Sequence, residues 1–501
     1  MTGTFTGYDR GSLAPTVVHI GPGVFHRAHQ AVYADDVLRS GATSGAVWGV
    51  SLRSSAVRDA LARNGFVYHV VERASGRPDV VRPVGALLGI DVAPEGVERV
   101  LARLADPAVT VVTVTVTEHG YCARNPGGPL DPQRPEVRHD LRHPEAPRSL
   151  PGLLLEALVR RRAAGTAPFT VVSCDNLPGN GKATARVVLD LAECRDPRLS
   201  AWVGGNVAFP SSMVDRMVPT TTDEDRRRLR ELGVDDAWPV VTEPFSQWVL
   251  EDHFPAGRPP WERAGVELVP DVARHEQAKL RILNAAHSAL AYWGLLAGHR
   301  LVSQAAADRG LLSATRDLLA GEVIPTLRPP AGWDLHEYAE QVLRRFCDPA
   351  LPYPTAKVAA DGSQKLPVRL IPTVRARVAD GAPATRCAQL LAAWAACLCG
   401  PRAGDFAVAD PALDARLEGE SPDGRALRAG SALPGDTVCR LLSLPGFLDP
   451  MIPGEWAFIQ DVGLAGGYFW YADVHVALAQ TNPVRRPVRG ETPADTTEAP
   501  R

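Results

Sequence analysis

Residues Thr16 to Leu38 read TVVHIGPGVFHRAHQAVYADDVL, and the division of this run decides the fold. Thr16 to Ile20 is β-rich and suits a strand, Gly21-Pro22-Gly23 ends it, and HRAHQAVYADDVL has the character of a helix. Strand, glycine turn and helix in that order make the opening unit of a nucleotide-binding sheet. Glycines permit a tight turn and close backbone approach to a pyrophosphate, and the start of the helix offers unpaired N–H groups. Gly21, Gly23, Phe25 and Arg27 on this turn are the expected cofactor contacts. A complete GxGxxG would also place glycine at His26, so simple turn chemistry is the competing reading.

Working outward, Val47 to Leu52 (VWGVSL), Val109 to Thr117 (VTVVTVTVT) and Phe169 to Cys174 (FTVVSC) are further strands. Several of these runs are apolar throughout, which favours a parallel sheet covered on both faces. Arg124 to Pro151, rich in Pro, Arg and Gly, interrupts the pattern and reads as a surface excursion. From about Val272 the character changes to helices, at Glu276–Leu296, Leu301–Leu319, Leu335–Phe346 and Thr385–Leu398. The expected organisation is an α/β dinucleotide-binding domain over 1–271 and a mainly α-helical substrate and catalytic domain over 272–481. The tail 482–501 has almost nothing to bury and is expected to be disordered. A chain of 501 residues with 45% hydrophobic content exceeds what one core usually holds.

Charge and composition narrow the partners. Lys and Arg (54) nearly balance Asp and Glu (57), and they are scattered, so the basic footprint of a nucleic-acid binder is missing. No apolar run reaches the roughly 18 residues of a membrane span, and Leu390 to Cys399 reads as a buried helix segment. The N-terminus shows no secretory pattern, and eight cysteines without a CxxC fit a reducing cytoplasm better than a disulfide framework. The thirteen histidines form no metal motif; His26 and His29 read as structural residues on a helix surface, and no metal is expected.

The end of the second strand bears on cofactor choice. An NAD site commonly has Asp or Glu there for the adenosine ribose, and this chain has Arg53-Ser54-Ser55. Arg53 is read either as packing on adenine or meeting a 2′-phosphate, or as an exposed loop arginine.

A second motif carries chemistry. Glu276 to His287 reads EQAKLRILNAAH. On an α-helix at about 100° per residue, with Lys279 at zero, Asn284 falls near about 140°, His287 near about 80° and Glu276 near about 60°. Leu280 and Leu283 share that face, which is apolar with polar groups set into it; a solvated Glu–Lys face is the alternative. Alcohol oxidation suits such a face. As hydride leaves carbon the hydroxyl loses its proton, so the site needs a base and neutral donors for the developing alkoxide. Lys279 is the expected base, which requires its environment to favour the neutral amine; Asn284 supplies N–H donors, and His287 orients hydroxyls.

Together, GPGVFHRAHQAVYADDVL, TVTEHGYC, SCDNLPGNG, FPSSMVDRMVP, EPFSQWVLED and KLRILNAAHSALAYWG resemble the mannitol dehydrogenase family of polyol-specific long-chain dehydrogenases, from about Val17 to Arg369. Lys-x4-Asn-x2-His is that family's catalytic signature. The resemblance implies a Rossmann-type N-terminal domain, a helical C-terminal domain and no zinc. It implies Lys279 as general acid or base, Asn284 with Asn176 as oxyanion donors, and Glu118 on the proton path to solvent. Asp215 matches an active-site aspartate, with a salt-bridged structural role as the alternative. Ser54 aligns with the family's NAD-selecting aspartate, so NAD is the expected cofactor with NADP possible. His119 departs from the lysine or glycine common in the family.

Asp361 to Arg369 (DGSQKLPVR) resembles the fructuronate and mannonate branch, in which Lys365 and Arg369 would pair with a carboxylate, although Tyr353-Pro354 stands where many relatives have His-Arg. The implied function is NAD(P)-dependent hydride transfer at a secondary alcohol or ketone of a hexonate or hexitol, first of all fructuronate reduction to mannonate. Mannitol 2-dehydrogenase, an NADPH-linked reductase of non-sugar ketones, and a catalytically silent dinucleotide sensor are the other readings. The expected partner is a small sugar acid or polyol, and the expected state a monomer or weak oligomer.

Overall fold

The apolar runs become strands because each has no polar side to offer water. The computed structural model describes residues 7–401, 403–406, 408–410, 413, 434–444, 446–471 and 473–480; the tail 482–501, expected to be disordered, lies outside the described residues, as does residue 481. The strands are Val17–Ile20 (β1), Val47–Ser51 (β2), Tyr68–Glu72 (β3), Val80–Val84 (β4), Leu87–Val92 (β5), Val111–Val114 (β6) and Thr170–Ser173 (β7). Ser212–Asp215 (β8), Val240–Thr242 (β9), Gln247–Glu251 (β10) and Glu267–Val269 (β11) follow.

The main sheet has the order β5-β2-β1-β6-β7, and every pairing in it is parallel. Successive residues face opposite cores. Val17, Val47 and Val111 pack with Ala31, Val37 and Trp248 on one side, while Val18, Ile20, Val112 and Val114 pack with Leu101, Leu154 and Val188 on the other. From β1 the chain goes outward to β2 and β5, then returns to add β6 and β7 on the opposite side. The order therefore reverses between β1 and β6, and ligands of such sheets bind outside the carboxyl ends at that reversal.

Two three-stranded sheets, β4-β3-β9 and β11-β10-β8, and strand β5 were not among the expected strands. The excursion after β6 also differs from expectation. It contains the helix Pro135–Arg142, its Val137 is fully buried, and it leads into the long helix Leu150–Ala163. Composition suggested a loop because its apolar residues are few, but they are placed on one side of a helix.

The chain divides into two compact units, Met1–Glu276 and Gln277–Arg501. Helices of the second include Asn284–Leu296, Val302–Ala307, Arg309–Asp317, Leu335–Phe346, Gly362–Arg369, Ile371–Ala379, Thr385–Cys399 and Pro453–Tyr471. Its core is aromatic in part: Trp293 and Trp394 are wholly buried, and Trp394 stacks on Phe447 at 5.1 Å. Two expected helices are interrupted. Leu301–Leu319 breaks at Asp308, whose carboxylate accepts from the N–H groups of Gly310 (2.9 Å) and Leu311 (3.3 Å) and so starts a new helix. Glu276–Leu296 contains a π-turn at Lys279–Leu283. Among the described residues no helix is long and apolar enough to cross a membrane.

Candidate active site

The glycine turn is built as its sequence requires. Gly21 has φ +93°, and a Cβ there would lie 2.1 Å from the Thr115 carbonyl oxygen, so only glycine fits. Gly23 is exposed, and a Cβ on it would meet nothing closer than the Gly21 oxygen at 3.8 Å. No protein group demands glycine at 23; bareness there suits a ligand's close approach. Phe25 stacks on His29 at 5.1 Å, beside the turn. Arg27, counted with the turn from sequence, is instead wholly buried and donates to the Trp238 carbonyl at 2.6 Å, under the Tyr68 ring. It braces the turn from behind.

The reading of His26 and His29 as helix surface is also corrected, since both are fully buried. The helix breaks at His29, where ψ is −89° and Nε2 meets the Gln247 carbonyl at 2.9 Å. The ring of His26 stacks on His19 at 3.5 Å, and His19 meets the hydroxyls of Thr113 (2.8 Å) and Thr115 (2.9 Å). Burial holds the His19 pKa down to about 3, and burial followed by the nearby His19, Arg27 and His29 holds His26 well below its ordinary value. Both folded-state values lie below the unfolded value near about 6.5, so the stability these neutral rings allow is complete above it and is lost as pH falls from there, when only the unfolded chain takes up protons. We therefore expect the first unit's thermal midpoint to drop between pH 7 and pH 5, and His26→Phe to flatten that drop. Parallel pH profiles for the two proteins would refute this.

At the ends of β6 and β7 the structure shows a residue that sequence reading passed over. Asp175 accepts from the N–H groups of Val116 (3.0 Å) and Thr117 (3.2 Å) and from the Tyr121 hydroxyl (2.8 Å). Burial pushes its pKa up against the pull of these donors. It holds Thr117 at φ +66°, a conformation costing a β-branched residue roughly 1–3 kcal/mol. Glu118 is the next residue and is exposed, and Asn176, also exposed, follows Asp175 itself. One carboxylate thus joins the segments that carry two expected site residues. The Asp sits in SCDNLPGNG, and its place before Asn176 was the available signal. Asp215 is buried at the end of β8, opposite Gln247. Glu276 accepts from the Gly179 N–H at 2.8 Å. Arg53 and Ser54 are exposed just past β2.

In the second unit Lys279 is only 7% exposed, which removes the solvated Glu–Lys face. The π-turn changes the expected geometry: the Asn284 N–H bonds to the Lys279 carbonyl, five residues back. A turn closed over five residues swings Asn284 toward the Lys279 side, rather than leaving it about 140° away. Arg281 clamps the wide turn from the other side, donating to the Thr373 hydroxyl (2.8 Å) and the Thr326 hydroxyl. His287 stacks on Phe346 at 4.7 Å and meets the edge of Tyr353 at 6.0 Å, so the departure at Tyr353-Pro354 stands beside it.

The two basic residues of DGSQKLPVR part company. Lys365 donates to the Ala360 carbonyl at 2.6 Å and lies 3.8 Å from the Asp361 carboxylate, which ties it to the start of its own helix. Arg369 lies against the Lys279 helix, with Nη1 donating to the Ser288 hydroxyl at 3.1 Å and to the Asn284 carbonyl at 3.5 Å. Burial holds its pKa down to about 10. Among the described residues no cluster of three His, Cys, Asp or Glu side chains is arranged to hold a metal ion.

Comparison with known proteins accounts for both units. The mannitol dehydrogenase Rossmann domain matches residues 15–263, and the mannitol dehydrogenase C-terminal domain matches 271–426. The uncharacterized oxidoreductase YeiQ of Escherichia coli (strain K12) is 39% identical over 482 residues, covering 95% of this chain and 96% of the relative. The D-mannonate oxidoreductase of the same strain is 40% identical over 77% of this chain and 80% of its own. The Pseudomonas fluorescens mannitol 2-dehydrogenase, solved as a ternary complex with NAD and D-mannitol, superposes with a TM-score of 0.82 at 35% identity, over 94% of this chain and 95% of that one. With a parallel nucleotide-binding sheet in one unit, a Lys-x4-Asn-x2-His helix in the other, and family models spanning both, the chain belongs to the mannitol dehydrogenase family of oxidoreductases.

Proposed function

We propose that the chain transfers hydride between a nicotinamide dinucleotide and a secondary alcohol or ketone of a six-carbon sugar acid, in the first place reducing fructuronate to mannonate. The observation that carries the proposal is the buried Lys279 on a π-turn that brings Asn284 toward it. The fit to the cofactor rests on the glycine-only position 21 and the bare Gly23 at the sheet reversal. When bound, the nicotinamide supplies or accepts the hydride; NAD is the proposed form, with NADP admitted because no carboxylate stands at Ser54.

Lys279 gives a proton to the substrate oxygen as the carbon is reduced, and takes it back in oxidation. Asn284 donates to the oxygen while charge develops there, and His287, wedged between Phe346 and Tyr353, orients neighbouring hydroxyls. Asn176 and Glu118 are proposed as a second donor and as the proton's way to solvent, and Asp215 as a substrate contact. No step needs a metal ion.

The sugar-acid reading rests on Arg369. Its Nη1 is engaged by Ser288 and Asn284, while Nε and Nη2 bond to no described residue and are free to hold a carboxylate. Fructuronate is expected to be reduced with higher kcat/KM than fructose. Hydrogen bonds to charged groups contribute roughly 1.5–3 kcal/mol, so Arg369→Met should lower kcat/KM for the uronate about ten- to hundredfold and for fructose little. A panel of uronates, ketoses and hexitols with NAD(H) and NADP(H) tests this. Equal losses on both substrates, or a wild type that prefers fructose or mannitol, would move the assignment to mannitol 2-dehydrogenase, the activity named for the solved relative.

A further inference from the structure

The excursion after β6 walls a cavity of about 590 Å³, within the range of roughly 300–1,000 Å³ usual for small-molecule sites. Leu52, Ala93 and Val97 line it with Glu95, His139 and Arg148. Its place in the sheet is informative. Leu52 follows β2 directly, and Ala93 follows β5, the neighbour of β2 on the side away from β1. A dinucleotide whose pyrophosphate lies at the β1 turn reaches the end of β2 with its adenosine ribose, so this cavity lies where the adenosine end arrives. Leu52, Ala93 and Val97 offer apolar surface to a flat ring.

The charges around it are not equivalent. Glu95 is held by both terminal nitrogens of Arg58 and is thereby neutralised. Arg148 is exposed, and its guanidinium makes no hydrogen bond or ion pair to a described residue. Its backbone is fixed all the same. The buried carboxylate of Asp140 accepts from the N–H groups of Arg148 (2.8 Å) and Ser149 (2.9 Å) and from the Ser149 hydroxyl (2.6 Å). A Cβ at Gly152 would lie 2.1 Å from that carboxylate, so glycine there leaves the room it occupies. His139, beside Asp140, keeps Nδ1 within 3.2 Å of the same group. A fixed backbone carrying an uncommitted planar cation is an arrangement that recognises phosphate by a fork of two N–H donors.

We propose that Arg148, rather than Arg53 at the end of β2, reads the 2′-phosphate of NADP in this cavity and so gives the chain its tolerance of that cofactor. The inference rests on the dehydrogenase reading above. Binding of NADH, NADPH and adenosine 2′,5′-bisphosphate is measured by calorimetry on the full chain as wild type, Arg148→Ala, Arg148→Lys and Arg53→Ala. Arg148→Ala should weaken NADPH and the bisphosphate roughly tenfold or more and leave NADH unchanged. Arg148→Lys should recover part of the loss, and Arg53→Ala should do little. The inference is overturned, and the dehydrogenase reading kept, by any of four results: NADPH affinity unaltered in Arg148→Ala, equal losses of NADH and NADPH there, the loss in Arg53→Ala instead, or a wild type that binds NADH but neither 2′-phosphorylated probe. A wild type that binds no dinucleotide overturns both.

Discussion

Lys279→Ala is expected to lower kcat by about 10²- to 10⁴-fold, the range that a positioned proton-transfer group contributes, with KM and NADH affinity nearly unchanged. Lys279 lies on a helix of the second unit, whereas the glycine turn proposed to hold the dinucleotide lies in the first. Removing the amine should therefore spare cofactor binding and strike the chemical step. Arg281, Ile282 and Leu283 keep the turn packed, so the variant should fold. Fluorescence titration with NADH beside steady-state kinetics checks both halves. A variant keeping more than half of the wild-type kcat would falsify the assignment.

The second large effect is expected at Asn284. Loss of one donor aimed at developing negative charge costs about 10²- to 10³-fold in kcat, so Asn284→Ala should fall in that range. Asn284→Asp separates donation from shape, because a carboxylate of the same outline only accepts and repels an alkoxide. It should be at least as damaging as alanine. If aspartate retained near wild-type turnover, Asn284 would be a structural residue of the π-turn and the oxyanion role would pass to Asn176 alone.

What the sequence showed and what it hid follow from how far each interaction reaches. The βα unit around Gly21 was legible because strand, turn and helix signals are local. Lys279 and Asn284 were legible as a pair, but the π-turn was not, since the same spacing of polar and apolar residues is compatible with either helix type until Arg281 is seen bonded to Thr326 and Thr373. Asp175 and Asp140 act on backbone N–H groups, and partners of that kind leave no mark in composition; those of Asp175 lie 58 and 59 residues away. His26 and His29 read as surface residues because polar side chains are by default assigned to the surface, yet both are fully buried. The ring of His26 stacks on His19, on the preceding strand, and nothing in the local sequence announces that contact. Lys365 and Arg369 looked equivalent because they lie four apart on one helix, and their separate bonding partners distinguish them.

The wide turn at Lys279 has a bearing on substrate length. Asn284, Ser288 and Tyr292 follow at intervals of four and form one side of their helix, and that side meets the stretch 359–369: Arg369 bonds at Asn284 and Ser288, and the Tyr292 hydroxyl donates to the Ala359 carbonyl at 2.7 Å. Because the π-turn brings Lys279 toward the same side, the proposed proton donor and the point where the proposed carboxylate-binding cation is bonded lie along one side of that helix. On the proposed reading, the span between reacting carbon and terminal carboxylate is gauged wholly within the second unit. On that reading cofactor exchange in the first unit would leave the gauge untouched, and a sugar acid one carbon shorter or longer would be disfavoured to the same degree with either nicotinamide dinucleotide.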